Sequence, residues 1–239
     1  FYREGEGPRA TGFTALRGGQ IKANLTKEFA GGYVRLHAKY LDDRAPTYLQ
    51  APVRVTGTNE NPNYEALPNF DLRSDALLSP NVANFVSLDG ENNRARYDMR
   101  NGVHPVVKSI GLEAKFDIGE WTVTERFRYA DMSGELFQNF PLTIAPASAL
   151  AMSLGGPGAQ LSYATGPNAG QAITDPAALN GNGLLAISLF ENFRLNSVDN
   201  MSNDLRASRV WDLGRGKLTF TAGFYKSRQE LDTDWLFNS

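Results

Sequence analysis

Polar and apolar residues alternate strictly along six stretches of this chain, and the six come in three pairs. Gln20–Phe29 and Tyr33–Leu41 flank Ala30-Gly31-Gly32. Ser109–Ile118 and Trp121–Ser133 flank Gly119-Glu120. Asn203–Leu213 and Lys217–Arg228 flank Gly214-Arg215-Gly216. In the second pair Ile110, Leu112, Ala114, Phe116 and Ile118 alternate with Ser109, Gly111, Glu113, Lys115 and Asp117. A period of two places each set on its own face of a β-strand, whereas a helix would mix them around its circumference. Gly in each turn supplies the positive φ of a tight hairpin. The pattern predicts three β-hairpins.

Each run is about ten residues long, the length a tilted strand needs to cross a ~25 Å apolar layer. Large aromatics stand on the apolar face beside the turns: Phe29, Phe116, Trp121, Trp211 and Phe220. They fit an aromatic girdle at a bilayer interface, or equally the end of a soluble sandwich core. Three charges interrupt the apolar face: Lys27, Glu125 and Arg209. Lys27 is near enough to its turn to reach water. Glu125 and Arg209 each lie five residues from a turn, on strands expected to be neighbours, which predicts a cross-strand ion pair.

Between the hairpins run two long connections, from Asp42 to Lys108 and from about Gly134 to Asn200. Connections of that size are functional or disordered more often than not. The first is rich in Pro and carries a strand-like piece at Val53–Thr58. In the second, Asp175-Pro176 before Ala177, Ala178 and Leu179 predicts a one-turn helix, and Leu184–Leu195 a strand. Tight turns at one end and long excursions at the other are the plan of an outer-membrane β-barrel.

The 239 residues contain no cysteine, which removes disulfides, thiolate metal sites and Cys nucleophiles. Net charge is −2 and no basic tract occurs, which argues against nucleic acid as a partner. Mean hydropathy is −0.36, and no apolar run approaches the ~18 residues of a membrane helix. A barrel strand escapes that test, because only alternate residues meet lipid. The chain starts at Phe1 without an initiator Met or signal-peptide pattern and stops just past a strand. That reads as an internal piece of a longer protein.

Reactive constellations are scarce. His37 sits mid-strand on a polar face, His104 precedes a Pro, and neither has the spacing of a metal motif. Gly214-Arg215-Gly216-Lys217 lacks the rest of a phosphate loop. Asp89-Gly90-Glu91-Asn92-Asn93 reads as a solvated turn rather than a calcium loop. Nothing calls for an enzyme activity or a cofactor. Arg126 and Arg128 are placed to meet Glu113, Lys115 and Asp117 in a charged lattice on the polar face. Arg44, Tyr48, Arg54, Tyr64 and Arg73 mix cationic and aromatic groups in the first connection. They are the candidate contacts for an anionic or sugar-like ligand, beside the plainer reading of a solvated loop surface.

Four stretches carry a resemblance: GGQIKANLTKEFAGGYVRLHAKYLDDRAPTYL (18–49), PVRVTGT (52–58), HPVVKSIGLEAKFDI (104–118) and WTVTERFRYADMSG (121–134). They resemble the barrel of TonB-dependent outer-membrane receptors. The resemblance implies an all-β fold, about six antiparallel transmembrane strands of a larger barrel, 22-stranded in the family and closed around a plug. It implies long extracellular loops, residence in the outer membrane of a Gram-negative bacterium and contact with its lipid. It also implies uptake of a scarce ligand such as a siderophore–iron complex, cobalamin or an oligosaccharide, powered through TonB. Neither a plug nor a TonB box is present in the chain, so no energy-coupling residue is carried over. The alternatives are a passive porin-type barrel and a soluble β-sandwich binding module. On the leading reading the chain shows a bare apolar face and two unpaired edges, and isolated it aggregates or needs detergent.

Overall fold

The computed structural model describes residues 1–48 and 51–238. It is an all-β chain built on one antiparallel sheet. In chain order the strands are β1 (Tyr2–Gly5), β2 (Leu16–Phe29), β3 (Gly32–Arg44), β4 (Arg54–Gly57), β5 (Pro62–Glu65), β6 (Asn84–Leu88) and β7 (Arg94–Asp98). After them come β8 (Val103–Ile118), β9 (Trp121–Pro146) and the helix α1 (Ala147–Gly155). The last strands are β10 (Leu184–Ser197), β11 (Asn200–Asp212), β12 (Lys217–Gln229) and β13 (Asp232–Asn238).

The three expected hairpins are β2–β3, β8–β9 and β11–β12. Gly31, Gly119 and Gly214 hold positive φ in their turns, where a side chain would be strained. β10 and β11 lie end to end along β9, and β12 and β13 lie end to end along them. The main sheet therefore consists of six long strands, each beside its predecessor, with β1 on the outer edge of β2. Among the described residues, no strand closes the sheet by joining β12 to β2.

The successive turns slip in one direction. Gly32, one step above its turn, faces Phe116, three steps above Gly119. Trp121, one step above its turn, faces Arg209, five steps above Gly214. With a rise of ~3.3 Å per residue and strands ~4.8 Å apart, six residues of slip over four spacings incline the strands by about 45° to the normal of the line of turns.

That slip corrects the expected Glu125–Arg209 pair. Counting from the turns assumed level hairpins, but Glu125 faces Leu205 and Arg209 faces Trp121. The charges lie four positions apart along the ladder, and each has another partner. Asn203 donates to Glu125, while Arg209 donates to Glu120 of the turn. The Arg209 guanidinium also lies 4.9 Å from the Trp211 ring centroid.

The strands run further towards the long connections than the alternation indicates. β8 begins at Val103, β9 continues to Pro146, and the second connection shrinks to 147–183. Beyond the alternating runs both faces carry mixed residues, so the period of two fades although the ladder continues. The strand piece in the first connection is β4, and Leu184–Leu195 lies within β10. Leu179–Gly181 is a short 3-10 turn preceded by Asp175, which accepts from Ala177 and Ala178 N–H. Helix α1 has no periodic apolar stripe or side-chain cap to announce it.

Many apolar side chains of the hairpins are exposed, and others, such as Val34, Leu112, Val123 and Phe127, are half-buried. Ile21 and Leu25 are each 70% exposed, Ile118 63% and Phe224 61%. The buried core lies elsewhere, beside the long connections. Leu78 and Met99 pack on Phe137, with Phe13, Phe85, Tyr97 and Phe190 around them. Phe85 stacks on Phe190 with centroids 4.3 Å apart. The β8–β9 ladder is unbroken, so Phe137 projects from the same face as Phe127 and Tyr129. The first connection therefore packs on the continuation of the apolar face.

A bulge sits where the exposed apolar band ends. Between the pairs Leu195–Gly134 and Asn200–Ala130, the β10–β11 strand has one residue more than β9. The apolar face consequently takes odd positions on β11 (Leu205, Ala207) and even positions on β10 (Phe190, Asn192, Arg194). Asp199 secures the bulge by accepting the Met132 N–H at 2.8 Å. Deleting Val198 removes the extra residue and forces one half of the strand to turn its faces over. Trypsin resistance of the refolded protein should be lost on deletion and kept in Val198→Ala, which preserves the residue count.

Candidate functional site

Polar side chains gather in two places: along the face opposite the apolar one, and around the upper ends of β3, β8 and β9. On the first, Glu113 of β8 accepts from the Tyr33 hydroxyl at 2.6 Å. Arg35 and His37 of β3 approach the same carboxylate at 3.9 and 3.7 Å. Arg126 of β9 lies directly across from Glu113, and Lys115 lies 3.4 Å from Asp117. A polar cluster thus forms around Glu113, but its contacts come from Tyr33, Arg35 and His37 of β3; of the two expected arginines, Arg126 stands opposite Glu113 and Arg128 opposite Gly111.

At the upper ends, Asn101 links two strands. It accepts from Arg44 Nη1 at 3.1 Å and donates to Glu135 at 2.5 Å. Glu135 also accepts from Asn192 at 3.2 Å. Beside this chain His104 Nε2 meets Asp42 Oδ1 at 2.8 Å. An open cleft of about 540 Å³ adjoins the pair, lined in part by Tyr2, Arg17, Tyr40, Asp42, Arg44 and His104. Asp42, Arg44 and His104 stand on the same side of the sheet as Tyr40 and Ile110.

The five candidate ligand residues fall in different places. Arg44 lines the cleft. The Tyr48 ring lies 5.1 Å from the Arg9 guanidinium, and burial pushes its hydroxyl pKa up. Arg54 pairs across from Glu65 and Tyr64 across from Val55, so Arg54 and Tyr64 occupy opposite faces of the β4–β5 hairpin. Arg73 sits in a turn where its N–H donates to Asp71. No hydrogen bond, ion pair or ring contact joins any two of the five among the described residues.

Asp89 caps the turn between β6 and β7. Its Oδ1 accepts from the Glu91 and Asn93 N–H groups, at 2.9 and 2.8 Å, in the β6–β7 turn. Among the described residues there is no group of three or more His, Asp or Glu side chains suited to a metal. Residues that the alternation did not single out lie on the polar-face side of the upper sheet. Phe193 packs against Trp235 and Phe237, with centroids 4.9 and 5.4 Å apart. Gln138 donates to Glu191 beside them. Trp235 is 69% exposed, and its place on an extended strand was the available signal.

Comparison with models of known protein families gives no match. Comparison with curated proteins and with solved structures gives none either.

Asp98 anchors the short turn Met99–Asn101 that carries Asn101 to Glu135. Burial pushes its carboxyl up, but hydrogen bonds from the Arg100 side chain and N–H, with the Arg44 charge, outweigh this and leave it below the usual range. Its contribution is complete above the unfolded value near ~3.9 and is lost as pH falls through the lower folded value. Pepsin cutting within 94–101 should therefore increase from about pH 4 downwards. Asp98→Asn should be cut there at the higher pH already.

Proposed function

We propose that this chain is wall of an outer-membrane β-barrel, and that the barrel takes up a scarce ligand in an energised, TonB-coupled process. The observation that carries the membrane part is the bare apolar face. Fully burying a Val, Leu, Ile or Phe side chain is worth about 1.5–3 kcal/mol, against a net stability of about 5–15 kcal/mol for a whole domain. Ile21, Leu25, Leu36, Ile110, Ile118 and Phe224 all lie on that face with more than half their area exposed. Water as their solvent would forfeit a large part of the folding free energy. Hydrocarbon would not.

Dimensions support the same reading. On β8 the apolar band runs from Ile118 to Ile110, exposed at both ends, and on β9 from Trp121 to Tyr129, mostly half-buried. Nine residues span about 26 Å along the strand and about 20 Å along the normal at 45°, close to the ~25 Å band of outer-membrane barrels. The inclination agrees with their usual tilt of roughly 35–45°. Aromatics meet near the short turns: Phe29 with Phe116 at 5.7 Å, and Trp121 with Trp211 and Phe220 at 6.3 Å. At the other limit come charges, Lys108 with Asp131 and His104 with Asp42. The edge of β2 from Ile21 to Phe29, below its pairing with β1, and the edge of β12 would pair with further strands of a closed ring. A β-sandwich lacks support, because among the described residues the two-stranded β6–β7 sheet packs only around Phe137 and Phe190, beyond the band that holds Ile21, Leu25, Ile110 and Ile118.

The uptake role rests on the resemblance of the four stretches to TonB-dependent receptors and on the one-sided placement of the long connections. In this reading outer-membrane lipid covers the apolar face, a plug fills the ring, and the exposed Phe193–Trp235–Phe237 cluster faces the passage. The ligand is a small molecule of the siderophore–iron, cobalamin or oligosaccharide type.

The absence of cysteine makes a clean test available. Single Cys at Leu25, Leu36 or Leu112 should resist a charged thiol reagent in intact membranes. Cys at Thr26, His37 or Glu113 should react once the outer membrane is permeable to the reagent. Equal labelling of both sets would falsify the membrane assignment. For transport, disrupting the gene should abolish growth on a limiting ligand of one of the three types. A protonophore should stop its uptake in the intact strain; uptake that persists without the proton gradient would make the barrel a passive pore.

A further inference from the structure

The cleft beside His104 opens onto the apolar face, and the opening is continuous. Ile21 and Tyr40 line both the cleft and a groove of about 430 Å³ directly below it. Ala23, Ala38 and Ile110 line that groove and a further one of about 420 Å³, which reaches Leu25, Leu36 and Leu112. Ala23 and Ala38 face one another across the β2–β3 ladder, with Ile110 opposite Ala38. Two short side chains among longer neighbours leave a channel running along the sheet from charged residues into the apolar band.

The charges at its head are unevenly matched. Arg17, Arg44, Asp42 and His104 line the cleft. Asp42 is engaged by His104 at 2.8 Å. Arg44 gives Nη1 to the neutral carbonyl of Asn101. Arg17 lies 3.9 Å from Glu4, with both side chains more than half exposed, a separation at which solvent leaves little attraction. Lys108 and Asp131 stand at the margin of the groove below, 3.9 Å apart. The head of the channel therefore offers two guanidinium groups, neither closer than 3.9 Å to a carboxylate, although the Arg44 charge is shared with Asp42 and Asp98. Guanidinium groups suit the oxygens of a phosphate.

We propose that this channel binds one anionic membrane lipid from the leaflet on the side of the long connections. Its phosphate lies between Arg17 and Arg44, and an acyl chain lies over Ala23 and Ala38. Three observations select a lipid over a soluble ligand: the cleft is on the apolar side of the wall, it stands at the level where that face turns charged, and its floor runs into the apolar band. The inference rests on the membrane reading given above. It adds a specific lipid site to a face that would otherwise be covered without selectivity.

The test uses the full-length protein in dodecyl maltoside, titrated separately with dioleoyl phosphatidylglycerol and dioleoyl phosphatidylcholine, with retained lipid counted by native mass spectrometry. The first phosphatidylglycerol should be retained at about tenfold lower concentration, the worth of roughly one charge-assisted hydrogen bond. Arg17→Gln with Arg44→Gln should erase the preference, and Arg17→Lys with Arg44→Lys should keep most of it. Ala38→Phe should fill the groove and lower retention of both lipids. If the double Gln variant does not fold, Arg17→Gln alone reads the same effect as a partial loss. An undiminished preference in the Gln variants overturns the proposal. So does displacement of the lipid by excess inorganic phosphate, which would mark a site for free anions. Thiol labelling at Leu25→Cys separates the two levels. Protection there with no lipid preference sinks only the lipid site, whereas labelling there removes the membrane reading beneath it.

Discussion

A β-sheet has two faces, and one face of this sheet is greasy and bare. That constraint orders the rest of the molecule. The backbone groups of the inner strands are paired in ladders, so no hydrogen-bonding demand is left on the apolar side. Most polar groups find partners on the other face, around Glu113, or above the apolar band, around Glu135, while Glu125 and Arg209 on the apolar face are met by Asn203 and Glu120. A protein dissolved in water would place its largest buried cluster on the apolar face. Here the buried cluster is the small set around Phe137, beyond the end of the band, where the first connection covers the strand. On the membrane reading proposed above, the burial pattern separates the length that lipid would cover from the length where protein supplies the cover itself.

The slip of the hairpins and the bulge at Asp199 serve that division. The slip inclines the strands, which lets a sheet of many strands curve towards closure. The bulge acts at the border of the band. Below it, Leu205 and Ala207 of β11 share a face with Val123 and Phe127. Above it, the same side takes Arg194, Asn192 and Phe190, which meet Glu135, Phe137 and the first connection. One extra residue thus lets a single strand present side chains suited to hydrocarbon over one length and to protein over the next.

Hairpins, faces and turns were legible in the amino-acid sequence because each depends on local chemistry: a period of two, and Gly where φ is positive. The outcome at Glu125 and Arg209 shows where local reading stops. Both residues were correctly placed on one face, but their separation depends on slip between hairpins about seventy residues apart in the chain, which no local pattern encodes. The upper strand extensions were hidden for another reason. From Ser133 to Pro146 both sides of β9 meet mixed surroundings, so the ladder continues without an alternating signature. The five candidate ligand residues were chosen for chemistry alone, and only Arg44 lies in the cleft beside His104. Asp42, Arg17 and His104 join it because β2, β3 and β8 are neighbours, a fact of topology rather than of spacing.

The way the first connection is fixed bears on transport. Its apolar residues Leu78, Phe85, Tyr97 and Met99 are spent on Phe137 and Phe190. Those two side chains leave the wall on the side of the apolar face, away from the polar lattice. A connection held there by stacked rings, and by Asn101 on Glu135, stands outside the passage that the proposed barrel encloses. The polar face is then left to the Phe193–Trp235–Phe237 cluster, while the second connection is tied to the first through Asn69–Gly181, Asn182–Pro68 and Thr165–Asn81. On the membrane reading proposed above, the first connection is a buttress beside the apolar band, and the second, hydrogen-bonded to it, extends that cover.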